Sequence, residues 1–298
     1  MLSLQMTSEQ INHEIDRITA FIGEQLSGGY KAVIGISGGL DSDLVARLVI
    51  KAIGDNRVKF FTVIQKDMEP QHLENARTLA NEMNIRLNEI NLAEVPFAFI
   101  RAMHDADPDE RFRPDGLLDP SRAKCSIRTV IISTYQDRGY VVMGTSNRTE
   151  LEAGFFLPFG DGVAHVKPIV HLYKTQVRQV AKMLGTSDAV LDQPASAGFW
   201  PGEDDIEDLA YWLYNEAPIG EEIDFDASAE ANVNKIHKCL STEKVDLGLL
   251  GISQEMTDDE IAKESKLPIT IIARLRKLTS AAQKFKLRPM GVRLENYF

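Results

Sequence analysis

Cysteine is scarce: Cys125 and Cys239 are the only two in 298 residues. A pair of thiols builds no disulfide framework, which fits a reducing cytoplasm. No apolar run is long enough to span a bilayer, so no membrane association is expected. Residues Met1 to Gly28 are amphipathic and lack the apolar core of a signal peptide. Basic clusters are missing as well. The formal net charge is −11, and a nucleic-acid partner is not expected without a Lys/Arg stripe. There is no internal repeat and no low-complexity tract. Two common glycine signatures of nucleotide binding are also absent: no G-x-x-x-x-G-K-S/T run occurs, and no G-x-G-x-x-G follows a strand.

What remains is an ordinary globular composition, 44% apolar, of a length that suits one large domain or two small ones. Helical spacing of Ile11, Ile15, Ile18, Phe21 and Ile22 predicts a helix over Ser8 to Leu26. Strands are expected at Lys31 to Ile36, Val58 to Ile64, Arg86 to Leu92 and Tyr140 to Thr145. Between them fall helices at Leu44 to Ile53, Pro70 to Met83, Val95 to Met103 and Arg122 to Asp137. Asp105 to Ser121, with three prolines, reads as a loop. Lys174 to Leu184 is an amphipathic helix with Gly185 as its C-cap. Alternating strands and helices imply a doubly wound α/β fold with a mostly parallel sheet of about five strands. After about Gln193 the character changes. Ser228 to Leu240 and Thr257 to Lys286 read as helical. The expected organisation is a single domain over 1–298, with an α/β core at 1–192 and a helical extension at 193–298.

The densest chemistry follows the first strand. Ser37-Gly38-Gly39-Leu40-Asp41-Ser42 is a glycine turn feeding a helix. Paired glycines turn the backbone tightly and aim N–H groups at one spot, and the helix N-terminus adds partial positive charge there. That combination suits a phosphate or pyrophosphate. The Asp41 carboxylate fits if a divalent cation sits between it and the phosphate. A plain strand-to-helix turn rich in small residues is the alternative. A second turn, Gly144-Thr145-Ser146-Asn147-Arg148-Thr149-Glu150, follows the fourth strand. It is either a helix cap with Glu150 in the first turn or the second carboxylate of a shared cation site. Ligands of such sheets bind beyond the carboxyl ends of the strands, where both turns lie. Lys174 opens a helix, a place the dipole disfavours for a cation. It is a ligand for an anion or a solvated surface lysine.

Phe159-Gly160-Asp161-Gly162 and Leu172-Tyr173-Lys174-Thr175-Gln176 complete an ordered series with these two turns. From about residue 10 to about 210 the sequence resembles the ammonia-dependent NAD synthetase family, within the ATP pyrophosphatase-loop enzymes. The resemblance implies an adenine nucleotide alpha-hydrolase-like fold and an ATP-dependent ligase. Such an enzyme adenylates the nicotinate carboxylate of deamido-NAD, releases pyrophosphate, and lets ammonia displace AMP. It implies that Ser37, Gly38, Gly39, Asp41, Ser42, Thr145, Lys174 and Ser196 bind ATP, with Ser196 standing where a threonine is usual. Asp41 and Glu150 would hold Mg²⁺, and Asp41, Lys174 and Glu150 would carry catalysis. Arg128, Asp161 and His165 fall on the acceptor side. A homodimer is implied, with nitrogen supplied as free ammonia or by a separate glutaminase.

The acceptor side departs from the family pattern. Val130 replaces a second arginine, and no lysine stands at Leu157 or Pro158. His165 replaces an acidic residue, and the terminal Lys284-Phe285-Lys286 offers no histidine. After Trp200-Pro201-Gly202 the chain reads Glu203-Asp204-Asp205-Ile206. Charge-assisted contacts to phosphate contribute about 1.5–3 kcal/mol each. A paralogue that amidates a different carboxylate is therefore a second expectation, and an ATP-binding protein without ligase activity a third. Four further residues or runs stand outside these motifs. Cys125 is a packing residue or, as thiolating relatives of the group would imply, a catalytic cysteine; His171 is structural; Trp200 covers the nucleotide or packs; and Glu203 to Asp208 starts a solvated helix.

Overall fold

The computed structural model describes residues 2–66, 68–116, 118–194, 196, 204–206, 209–210, 213 and 236–285. Helix α1 spans Ser8–Gln25, capped by a reciprocal Thr7–Gln10 box, and buries Ile11, Ile15, Ile18 and Ile22. Strand β1 (Lys31–Gly35) leads into α2 (Leu40–Ile53). Then come β2 (Val58–Ile64), α3 (Pro70–Glu82), β3 (Leu87–Asn91) and α4 (Val95–Ala106). Helix α5 (Leu118–Gln136), β4 (Tyr140–Met143), α6 (Arg148–Ala153), α7 (Lys174–Met183) and α8 (Asp188–Leu191) follow. The last described elements are α9 (Thr242–Ser253), α10 (Asp258–Ser265) and α11 (Ile269–Phe285).

The four strands lie in the order β3-β2-β1-β4, all parallel. From β1 the chain builds outward through β2 to β3, then crosses back to place β4 on the other side of β1. The strand order therefore reverses between β1 and β4, the position where such sheets bind ligands. Both sheet faces are covered, which is why the strands read as nearly unbroken apolar runs. Ala32, Ile34 and Phe60 pack in one cluster with residues of α1, α2, α3 and α7. Val33, Phe61 and Val142 pack with Ile132 of α5, and Tyr135 stacks on Phe61 at 5.7 Å. Each such side chain taken fully from water contributes about 1.5–3 kcal/mol.

The sheet has four described strands rather than the expected five, and the reason is local. The segment beyond β4 makes only an isolated parallel bridge, Met143 to Val166. The Val142 amide donates to His165 Nδ1 at 3.0 Å instead of to a neighbouring strand. Pro168 then removes an amide donor. The helix read over Thr257 to Lys286 is interrupted. Lys266 takes a left-handed conformation (φ 62°) at the end of α10, and Pro268 follows before α11 begins. Pro268 stands in the position just before the first turn, where its missing amide costs nothing. The acidic run Glu203 to Asp208 is described only at 204–206, which is half-buried rather than solvated. Trp200, most of Ser228 to Leu240 and Lys286 lie outside the described residues. Helices α9, α10 and α11 close a second apolar cluster around Val245, Leu249, Ile261 and Ile272, which takes in Leu4 and Tyr173 as well.

Helix α2 is pinned by charge as well as by apolar packing. Buried Arg47 donates to Asp43 at 2.7 Å and bidentately to Glu82 of α3 at 2.8 and 2.7 Å. Thr186 Oγ1 donates to the same Asp43 carboxylate at 2.5 Å. Arg47→Met leaves Asp43 buried without its cation. It is expected to destabilise the fold by about 3–5 kcal/mol in urea titration, and a cost under about 1 kcal/mol would contradict this role.

Candidate active site

The glycine turn after β1 forms the first turn of α2, with Gly39 as N-cap. Gly38 has φ 83°, and a Cβ there would lie 1.9 Å from the His72 carbonyl oxygen. Glycine is thus required twice over, by dihedral and by space. The loop is internally bonded. The Ser37 amide donates to Ser42 Oγ at 3.2 Å, and the Gly39 amide donates to Ser37 Oγ at 3.2 Å. Ser42 Oγ in turn donates to the Gly39 carbonyl at 3.0 Å. The two hydroxyls hold the shape of the turn.

Asp41 stands in the first turn of α2 and faces the second turn, after β4. There Asn147 is the N-cap of α6 and fully buried. Its Oδ1 accepts the Glu150 amide at 3.0 Å, which turns its Nδ2 toward the carboxylates. Nδ2 donates to Asp41 Oδ1 at 3.0 Å and to Glu150 Oε1 at 2.7 Å. One amide group therefore gathers both carboxylates. Lys174, the first residue of α7, closes the set by an ion pair with Asp41 Oδ2.

Two converging carboxylates repel, and burial penalises both. Burial, then the Asp41 charge, raises the Glu150 carboxyl well above its ordinary 4.5. Burial acts against the Lys174 ammonium, but Asp41 and Glu150 outweigh it and hold the group charged. Asp205 faces both Glu150 and Lys174 and adds a further negative charge. This half-buried aspartate stands in the run read as a solvated helix start.

Arg128, Asp161 and His165, which the resemblance implies for the acceptor side, come from α5 and from the segment that follows α6. Asp161 Oδ1 accepts the Leu157 amide at 2.9 Å and the Cys125 thiol at 3.2 Å. Cys125 is a buried packing residue whose thiol is pushed up to about 12 by burial. Lys167 is half-buried. Its stem crosses Gly144, where a Cβ would come within 3.0 Å of Lys167 Cγ, and its ammonium faces Asp161 and Glu150. Arg128 is half-buried on α5 and acts electrostatically on Cys125. His165 is exposed, and its Nδ1 is spent on the sheet edge. Thr145 and Ser196 are half-buried.

Sequence reading assigned no role to Asn147, Lys167 or Asp246. Asn147 had a signal, since an asparagine three residues before a glutamate is a capping box. Asp246 of α9 had none. Among the described residues no cluster of three or more His, Cys, Asp or Glu has metal-binding spacing. The acidic pair Asp41 and Glu150 is the oxygen-donor set available.

A parallel sheet with this strand order, and with a glycine turn and a carboxylate–lysine group at its switch point, defines a nucleotide-binding α/β protein of the adenine nucleotide alpha-hydrolase type. Residues 14–224 match the family described as NAD synthase. The chain belongs to the NAD synthase family. It is 39% identical over 197 residues to the NH(3)-dependent NAD(+) synthetase of Methanococcoides burtonii, covering 65% of this chain and 73% of that one. The protein of the same name from Pyrococcus horikoshii is 29% identical over 95% of both chains. Two solved structures share the fold. NMN synthetase from Francisella tularensis has a TM-score of 0.72 at 19% identity, covering 97% of this chain and 100% of that one. NH3-dependent NAD synthetase from Campylobacter jejuni has a TM-score of 0.67 at 20% identity, with the same coverage.

The raised Glu150 carboxyl has a stability consequence with a definite sign. A folded value above the unfolded one favours folding at low pH, and that contribution is lost as pH rises through the folded value. Without ligand, Glu150→Gln keeps the capping box and removes the buried charge. Its Tm is expected to exceed that of the parent chain at pH 7–8, with the difference closing toward pH 4.5. An equal Tm at both ends of that range would contradict the burial of Glu150.

Proposed function

We propose that the chain is an ammonia-dependent NAD synthetase acting on deamido-NAD. The observation that carries the reading is the convergence of Asp41, Glu150 and Lys174 on the edge between β1 and β4, inside the family-matched segment. A nicotinate carboxylate oxygen attacks the α-phosphorus of ATP, the bond to the β-phosphate oxygen breaks, and pyrophosphate leaves. Ammonia then attacks the acyl carbon, loses a proton, and expels AMP. The chemistry needs position and charge neutralisation more than a covalent protein group.

In this reading the loop of Ser37, Gly38, Gly39 and Ser42 receives the polyphosphate, and Thr145 and Ser196 contact ATP. Lys174 exchanges Asp41 for a phosphate oxygen as the nucleotide enters. Asp41 and Glu150 suit Mg²⁺, which takes hard oxygen ligands from one or two carboxylates together with substrate phosphates. When bound, the ion neutralises charge on the polyphosphate. Arg128, Asp161 and His165 line the acceptor side. A single domain and a homodimer complete the proposal. Support for the homodimer comes from α4, where Val95, Phe99 and Met103 form an exposed apolar row at 43, 52 and 36% accessibility. No described helix is long and apolar enough to cross a membrane, and the two free thiols suit a cytoplasmic setting with free ammonia or a separate glutaminase as nitrogen source.

A second reading, amidation of a different carboxylate, draws on two observations. Val130 is 65% exposed on α5, and the His165 ring is engaged by the sheet edge.

Pyrophosphate release with ATP, Mg²⁺ and ammonia separates these readings across deamido-NAD, nicotinate mononucleotide and unrelated carboxylic acids. Turnover is expected with deamido-NAD, and turnover confined to another acid would replace this reading with the second. Asp41→Asn is expected to lower kcat by roughly 10²–10³-fold with little change in Tm. Near-normal turnover in that variant would remove Asp41 from the catalytic group.

A further inference from the structure

Asp246 lies beyond residues 14–224, the segment matched by the family. It projects from α9, and its side chain is fully buried. Three donors converge on it: Thr149 Oγ1 at 2.6 Å, the Thr175 amide at 2.8 Å and Thr175 Oγ1 at 2.7 Å. Thr149 Oγ1 also accepts the Lys174 amide at 2.8 Å. Thr149 immediately precedes Glu150, and Thr175 immediately follows Lys174. A single carboxylate therefore fixes the first turns of α6 and α7 to each other.

Helix α9 is held close enough to do this because its glycines admit its neighbours. A Cβ at Gly248 would lie 3.0 Å from Leu275 of α11, and one at Gly251 would lie 2.7 Å from Ile261 of α10. If its only task were to join helices, an apolar residue of similar volume would serve as well or better. The groups Asp246 holds are instead the immediate neighbours of the two charged residues that meet Asp41.

We propose that Asp246 is a positioning residue for the ATP chemistry, setting Glu150 and Lys174 in register through Thr149 and Thr175. The helical layer behind the sheet is then a working part of the site rather than a cover for it. The inference rests on the reading that Asp41, Glu150 and Lys174 handle ATP. Displacements of about 1 Å in such a group cost on the order of 10²-fold in rate.

Asp246→Asn tests the proposal with little change in shape. One oxygen can still accept the Thr175 amide. The new NH₂ then faces Thr149 Oγ1 and competes with the Lys174 amide for that acceptor. The expected result is a fall in kcat of at least tenfold and weaker Mg·ATP binding by calorimetry of at least fivefold, with KM for the carboxylate acceptor within twofold. Thr149→Val breaks the same relay at its middle, so the double variant is expected to be no worse than the poorer single one within about twofold. A folded Asp246→Asn protein with kcat and ATP affinity within twofold of the parent overturns the proposal. So do multiplicative losses in the double variant. If Asp246→Asn does not fold, Thr149→Val decides by the same kcat and ATP readouts. Wild-type turnover with deamido-NAD tests the functional reading separately, because ATP calorimetry needs no acceptor.

Discussion

Like charges brought together away from water must be offset, and the architecture around the β1 and β4 ends answers that constraint. Asp41 and Glu150 meet on one Asn147 amide, and the Lys174 ammonium balances them. Each member is delivered by a different helix N-terminus, so the group exists only when α2, α6 and α7 are mutually placed. Their placement rests on the apolar cluster under the sheet and on the Arg47 network. The Lys174 ammonium is held charged by Asp41 and Glu150 against the penalty of burial, a preorganised arrangement of charge at the sheet edge.

The two sides of the site are built differently. In the glycine turn, Ser37, Gly39 and Ser42 satisfy one another within a single turn. Around Asp161 the contacts are to a thiol and a backbone amide. Close packing sets that geometry, since a Cβ at Gly160 would meet Cys125 Sγ at 2.6 Å. The bonds within Ser37–Ser42 and from Leu157 to Asp161 are local, whereas those joining Asp41 to Asn147 and Lys174, and Cys125 to Asp161, are long-range. The departures from the family pattern at Val130, Leu157, Pro158 and His165 all fall outside the two turns that carry Asp41 and Glu150.

Much of the α/β core was legible because its strands are apolar runs and its helices carry caps and proline or glycine punctuation. The helices Ser8–Gln25 and Pro70–Glu82 and the strand Val58–Ile64 fall where spacing placed them, within a residue or two. That the described residues beyond β4 form a bridge and not a fifth strand was not legible. It depends on a histidine ring capturing a backbone amide, a side-chain choice that no periodicity encodes. The break at Lys266 was missed because a lysine in left-handed conformation carries no composition signal, although Pro268 stood close by. In the site, Asp41, Glu150 and Lys174 could be picked out because each sits in a dense local motif. Asp246 could not, since its partners lie 97 and 71 residues away and its own helix reads as unremarkable.

Those separations bear on how the protein is made. The Asp41–Lys174 pair closes a span of 133 residues and the Asp41–Asn147 bond one of 106. Long-range closures of this kind are entropically costly and form late. A growing polypeptide on the ribosome can assemble β1, β2 and β3 in turn. The bonds from Thr149 and Thr175 to Asp246 wait for the final quarter of the chain. A half-made chain thus carries the glycine turn without the long-range partners of Asp41. Truncation of α9 ahead of Asp246 would leave a product that has the strands of the sheet and lacks the carboxylate that joins Thr149 to Thr175.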